Sequence, residues 1–247
     1  MRTARPQPAL VAVAHGSPDP GAERAVQALL RLVRALRPGT RVEVGHLETD
    51  RPLLADTLAG LRGEAVLVPL LFGRGYHVKR DIPRVLAGAG HLNVATAGSL
   101  GPHPLLAEAL HSRLAEAGHR RGGAVVLAAA GSRDPESAAG TEYTAAMLSA
   151  RLGGAPVLPA YASAASPTVP EAVAALREAG HREIAVASCF VAPGLFATRC
   201  AEAAPGVVAA PLGAHPALAR LLLHRYDQAR AALTRPRPAR TVLAATG

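Results

Sequence analysis

Three residues far apart in the chain are of types that ligate metals or move protons: His15, Glu48 and His77. Each follows a run that reads as a β-strand and sits where that strand gives way to a loop. Two imidazoles and a carboxylate converging on one edge make either a divalent-metal set or a base-plus-ligand set. A neutral imidazole serves as ligand or as base near pH 7, and a carboxylate ligates or accepts a proton. Chance is the competing explanation, because every βα loop of a parallel sheet ends on the same edge. The elements that carry these residues must decide.

His77 belongs to the stretch 66–83, VLVPLLFGRGYHVKRDIP. Its unbroken apolar start suits a strand covered on both faces. Gly73 and Gly75 break that strand, and His77 falls just before a polar helix start containing Lys79, Arg80 and Asp81. His15 closes a strand over Ala9–Ala14, ahead of a helix over Gly21–Leu36 with Val26, Leu29, Leu30 and Val33 at helical spacing. Glu48 follows an alternating strand, Arg41–Leu47, and precedes a helix from about Pro52. A fourth strand, His91–Thr96, leads through Gly98–Pro104 into a helix carrying Leu106, Leu110 and Leu114. Four βα units in a row imply a parallel sheet with right-handed crossovers, in the doubly wound order 2-1-3-4. His15 and His77 then face each other across the topological switch between strands 1 and 3, with Glu48 beside them.

After a polar break at Gly118–Gly123 the pattern starts again, with strands expected at Ala124–Ala130, Pro156–Ala162, Glu183–Val191 and Val207–Ala210. Gly131-Ser132-Arg133-Asp134-Pro135 echoes Gly16-Ser17-Pro18-Asp19-Pro20, and Leu212-Gly213-Ala214-His215-Pro216 echoes Leu100-Gly101-Pro102-His103-Pro104. The matched signposts lie 112 to 115 residues apart, so the chain is a duplicated α/β (βα)4 unit with parallel sheets. The halves span 1–119 and 120–235, with a Pro- and Arg-rich tail at 236–247. Aligning them sets Ala130 opposite His15, Ser163 opposite Glu48 and Phe196 opposite His77. The second copy keeps the frame and lacks all three chemical residues. His103 and His215, present in both, read as loop or cap residues.

Composition narrows the partners. The formal charge of +9 calls for an anionic one, yet the 26 arginines are spread along helices and aromatics are few, which disfavours nucleic acid. An acidic small molecule fits better. Cys189 and Cys200 form no CxxC pair, no run approaches membrane-spanning length, and the N-terminal apolar run is too short for a signal peptide, so a cytoplasmic protein is expected.

The segments AHGS at Ala14–Ser17, HLETDRP at His46–Pro52, PLLFGRGYHVKRDIP at Pro69–Pro83 and LGPHP at Leu100–Pro104 together resemble the CbiX/SirB family of sirohydrochlorin chelatases. The resemblance covers essentially the whole chain, since long members are two fused flavodoxin-like halves. It implies an ATP-independent, lyase-type enzyme that inserts a divalent metal, Fe2+ favoured over Co2+, into sirohydrochlorin, giving sirohaem or a cobalamin precursor. No permanent cofactor is implied; the metal is a substrate. The family's two histidines map onto His15 and His77, for metal holding and proton abstraction, and its acidic residue onto Glu48. Sirohydrochlorin carries eight carboxylates, so Ser17, Arg74, Lys79 and Arg80 are candidates to bind them. A monomer with a cleft between the halves is expected. A non-catalytic tetrapyrrole or metal carrier is the alternative of another class.

Overall fold

The computed structural model describes residues 7–233; the tail expected from 236 onward lies outside them. The first half contains β1 (Ala9–Ala14), α1 (Pro20–Leu36), β2 (Val42–His46), α2 (Leu54–Ala59), β3 (Gly63–Pro69), a π-helical turn (His77–Asp81), α3 (Ile82–Ala87), β4 (Leu92–Thr96) and α4 (Pro104–Glu116). The second contains β5 (Ala124–Ala129), α5 (Pro135–Arg151), β6 (Val157–Tyr161), α6 (Val169–Glu178), β7 (Ile184–Ser188), α7 (Leu195–Glu202) and α8 (Pro216–Leu233). All strand pairs are parallel, in the orders β2-β1-β3-β4 and β6-β5-β7.

The first sheet has the order its βα pattern implies. In the second, the strand expected at Val207–Ala210 shrinks to one parallel bridge, Val186 to Val208. Its apolar run is four residues long, Pro205-Gly206 precedes it, and Pro211 has no N–H with which to extend the ladder.

Burial follows the strand period of two. In β1, Leu10, Ala12 and Ala14 face one core while Ala9, Val11 and Val13 face another. In β5, Val125, Leu127 and Ala129 join that first core, and Ala124, Val126 and Ala128 turn to a third. The shared core is therefore built from both halves. Between the sheets lies a layer of four helices, with an exchange at its centre. The last helix of each half covers the sheet of the other: α8 packs on β3, β4 and α1, and α4 packs on β7 and α5. Tyr226 of α8 is wholly buried and donates its hydroxyl to the carbonyl of Pro8 at 2.7 Å. Arg37, at the end of α1, donates to both carboxylate oxygens of Asp227 at 3.0 and 2.7 Å.

Two expectations follow. Because the halves share one core, urea unfolding followed by circular dichroism is expected as a single transition, and Tyr226→Ala should lower its free energy by about 3–5 kcal/mol. Two separate transitions would contradict the exchange. The hydrogen bonds from Arg37 hold the Asp227 carboxyl below its ordinary range. A depressed carboxylate stabilises the fold above the ordinary range and loses that effect as pH falls through the depressed value. Asp227→Asn should therefore lower the free energy of unfolding at pH 7, by roughly 1 kcal/mol for so exposed a pair, and thermal melts across pH should show the difference closing in acid.

Candidate active site

The loop after β1 is stitched to the loop after β2. Glu48 N–H donates to the carbonyl of His15 at 3.0 Å, and Leu47 N–H to that of Ala14 at 3.0 Å. Between them runs Gly16 at φ +102°, where a Cβ would overlap the Glu48 carbonyl oxygen. The second half repeats the device: Ser163 N–H donates to Ala130 O at 3.0 Å, and a Cβ on Gly131, at φ +88°, would overlap the Ser163 carbonyl. Ser17 Oγ then accepts from Asp19 N–H at 3.2 Å, and Asp19 caps α1 by accepting from Gly21 N–H. Ser132 and Asp134 do the same for α5. The Gly-Ser-x-Asp-Pro frame is thus a turn-and-cap device, which explains its presence in both halves.

His77 arrives from the far side of the switch. A plain helical start is expected there; the structure instead has a π-helical turn, in which Ile82 N–H reaches back to the carbonyl of His77. Pro83 has no N–H to offer Lys79, so an ordinary α-helical bond is missing where the turn widens.

The three residues converge. His15 Nε2 and His77 Nε2 lie 3.1 Å apart, the rings meet edge-on at 87°, and donor atoms of His15, Glu48 and His77 all fall within 4.8 Å of one another. Asp81 accepts from His77 Nδ1 at 2.7 Å, and the Gly16 carbonyl lies 3.1 Å from His15 Nδ1. Both partners are acceptors, which directs each ring's Nδ1–H outward and turns the two Nε2 atoms towards each other. At that distance a proton or a metal ion shared between the two nitrogens holds them together. Ligand atoms sharing a tetrahedral ion sit about 3.3 Å apart.

His15 and His77 open onto a cleft of about 640 Å³ between the halves. Its walls are mostly apolar, with Phe72 and Tyr76 on one side and Val191, Leu195 and Phe196 on the other. Tyr76 and Leu195 are each 61% exposed and Phe196 is 37% exposed, leaving broad apolar surface open to a flat ligand.

The expected carboxylate binders fare unevenly. Ser17 lines the cleft, but its hydroxyl serves the turn described above. Lys79 already pairs across the halves with Asp134 at 2.5 Å and Glu136 at 3.3 Å, and Arg74 meets Glu136 at 3.5 Å. The Lys79 hydrogen bond holds the Asp134 carboxyl below its usual range. Arg80 is exposed and lies outside the cleft lining. Arg133, which sequence reasoning passed over, does line it. Asp81 was equally unassigned, although its place four residues after His77 is a readable signal. His103 and His215 cap α4 and α8, accepting through Nδ1 from Leu105 and Ala217 N–H at 3.1 Å, and burial lowers both imidazole pKa values.

A duplicated parallel α/β fold with a bis-imidazole and carboxylate group at the switch of one sheet belongs to the tandem chelatase-like class. The family model CbiX matches residues 9–117 and again 124–229. The chain belongs to the CbiX family. The sirohydrochlorin cobaltochelatase of Methanosarcina acetivorans is 28% identical over 123 residues, 44% of this chain and 95% of that protein. That of Saccharolobus islandicus is 49% identical over 49 residues, 18% of this chain and 38% of the relative. Among solved structures, SirB from Bacillus subtilis with Fe3+ superposes with a TM-score of 0.77 at 22% identity, covering 91% of this chain and 96% of that one. CbiX, described as the terminal enzyme for biosynthesis of sirohaem in denitrifying bacteria, gives 0.64 at 22% identity, covering 90% and 99%. These likenesses establish the fold. Among the described residues, no helix is long and apolar enough to cross a membrane.

The glycine contacts can be tested. Gly39 has φ +83° with open space around a would-be Cβ, so Gly39→Ala should cost only about 1–2 kcal/mol. Gly131→Ala adds an overlap with backbone and should cost distinctly more, read from urea midpoints. Equal costs would mean that the close approach is unimportant.

Proposed function

We propose that this chain is a sirohydrochlorin chelatase, exchanging the two pyrrole N–H protons of the macrocycle for one divalent cation. The observation that carries this reading is the pair of imidazole Nε2 atoms 3.1 Å apart, with the Glu48 carboxylate beside them, at the edge of an apolar cleft. His15, Glu48 and His77 hold the incoming cation while its water is stripped away. As the metal passes to the pyrrole nitrogens, the imidazole lone pairs it leaves become the acceptors for the departing protons. Asp81 keeps the His77 proton on Nδ1 and steadies the ring. The macrocycle lies between the apolar walls. Its carboxylates find Arg133 at the cleft, and they compete with Asp134 and Glu136 for Lys79 and Arg74.

The metal is Fe2+ or Co2+. An N, N, O donor set suits both, the curated relatives are named for cobalt, and one structural neighbour is described as a sirohaem enzyme. Cobalt insertion is therefore the second reading, on the strength of those names.

The deciding experiment is insertion into sirohydrochlorin, followed by its visible spectrum, with Fe2+, Co2+ and Ni2+ side by side. A rate no better than the protein-free control for every ion would end the enzyme reading. His77→Ala should lose at least about 100-fold in rate, and Asp81→Asn about 10- to 100-fold. His215→Ala should cost little beyond the cap. If His215→Ala proved the worse variant, the site would belong to the other half.

A further inference from the structure

The segment that presents Glu48 continues to Asp50, whose carboxylate belongs to a second group of donors. His46, at the end of β2, and Glu23, in the first turn of α1, complete it, and donor atoms of all three lie within 4.8 Å of one another. All three line the cleft. Sequence periodicity sends His46 into packing or towards a helix, and its side chain is indeed only 1% exposed, turned towards α1.

The state of His46 is unusual for a packed histidine. Its Nδ1 lies 3.2 Å from the carbonyl of Pro52, which can only accept, so Nδ1 is a donor and Nε2 is left facing α1. That Nε2 faces Glu23 Oε2 at 3.1 Å, yet both atoms are buried and neither makes a hydrogen bond. The contact is close enough for an ion pair but does not form an aligned hydrogen bond. A buried ring nitrogen and a buried carboxylate oxygen that make no aligned hydrogen bond are costly, since each is cut off from water. Side-by-side placement is what a shared cation produces, because neighbouring ligands in a tetrahedral shell stand about 3.3 Å apart and do not point at each other. Asp50 uses Oδ2 to accept from Ser17 N–H at 2.9 Å, which leaves Oδ1 for an ion.

We propose that Glu23, His46 and Asp50 form a second divalent-cation site, separate from His15, Glu48 and His77. One imidazole and two carboxylates suit first-row ions such as Co2+, and the two negative charges offset the ion's own. The two groups share the segment 46–50 and the Gly16-Ser17 turn, so a second ion of the substrate metal waits beside the one to be inserted. The inference rests on the geometry of these three residues and not on the macrocycle. Binding and insertion can therefore fail independently.

The test is equilibrium dialysis of the full chain against Co2+, with bound metal counted per chain and the ligand-field absorption recorded. Two ions are expected for the unaltered chain, one for His15→Ala/His77→Ala, one for Glu23→Gln/Asp50→Asn, and none when all four changes are combined. Asn at 50 can still accept from Ser17 N–H, and circular dichroism checks that each variant is folded. If the Glu23/Asp50 double variant does not fold, Glu23→Gln alone, a near-isosteric change at a half-exposed residue, takes its place and should weaken one ion by at least tenfold. A wild-type count that the Glu23 and Asp50 changes leave untouched, or no ion bound by His15→Ala/His77→Ala, would overturn the proposal, whatever the insertion assay shows.

Discussion

The backbone at Gly16 passes so close to the carbonyl of Glu48 that no side chain fits between them, and Gly131 meets Ser163 in the same way. That contact welds the first two βα loops of each half into one surface. In the first half it fixes His15 and Glu48 relative to each other through the main chain, before any side chain takes part. The two residues therefore keep their mutual placement, because changing it would mean moving backbone that is bonded on both sides. A residue with a Cβ at either glycine would face both a left-handed conformation and a clash.

The two copies use this weld differently. Around it the first half sets His15, Glu48 and His77; at the matching positions the second sets Ala130, Ser163 and Phe196. The second copy is not idle, since its loops supply Val191, Leu195 and Phe196 as the facing wall of the cleft. It also supplies Asp134 and Glu136, which engage Lys79. Exchange of the last helices locks this wall in place, because α4 and α8 each complete the core of the half they did not come from. One half carries the two histidines and the carboxylate, and the other shapes the space they face.

Much of this is legible in the residues. Strand period, the Gly-Ser and Leu-Gly-x-His-Pro echoes and the loss of three residues in one copy lead to the duplicated sheet and to the His15, Glu48 and His77 group. The helix exchange is not legible, because an amphipathic stripe on α4 or α8 says that a face is buried but not against which sheet. The fate of Lys79 and Arg74 is hidden for a related reason: the positive charge is visible, but the partner comes from 55 residues or more downstream. His46 is the instructive case. Its burial is readable from its strand position, whereas the carboxylate it faces comes from the helix before that strand.

Two features of the site have a common electrostatic form. At the first group, Asp81 and the Gly16 carbonyl fix the ring protons on the outer nitrogens; at the second, the Pro52 carbonyl does so for His46. In each case an acceptor behind the ring accepts from Nδ1–H, and the nitrogen in front is turned on another imidazole nitrogen or on a carboxylate oxygen. A hydrogen-bond network that only stabilised the fold would alternate donors and acceptors. A shared proton or a metal ion holds such pairs together, and the π-helical turn is what brings His77 and Asp81 into line. The fold thus gathers His15, Glu48 and His77 at the switch of its first sheet, on a backbone that the shared core holds in place.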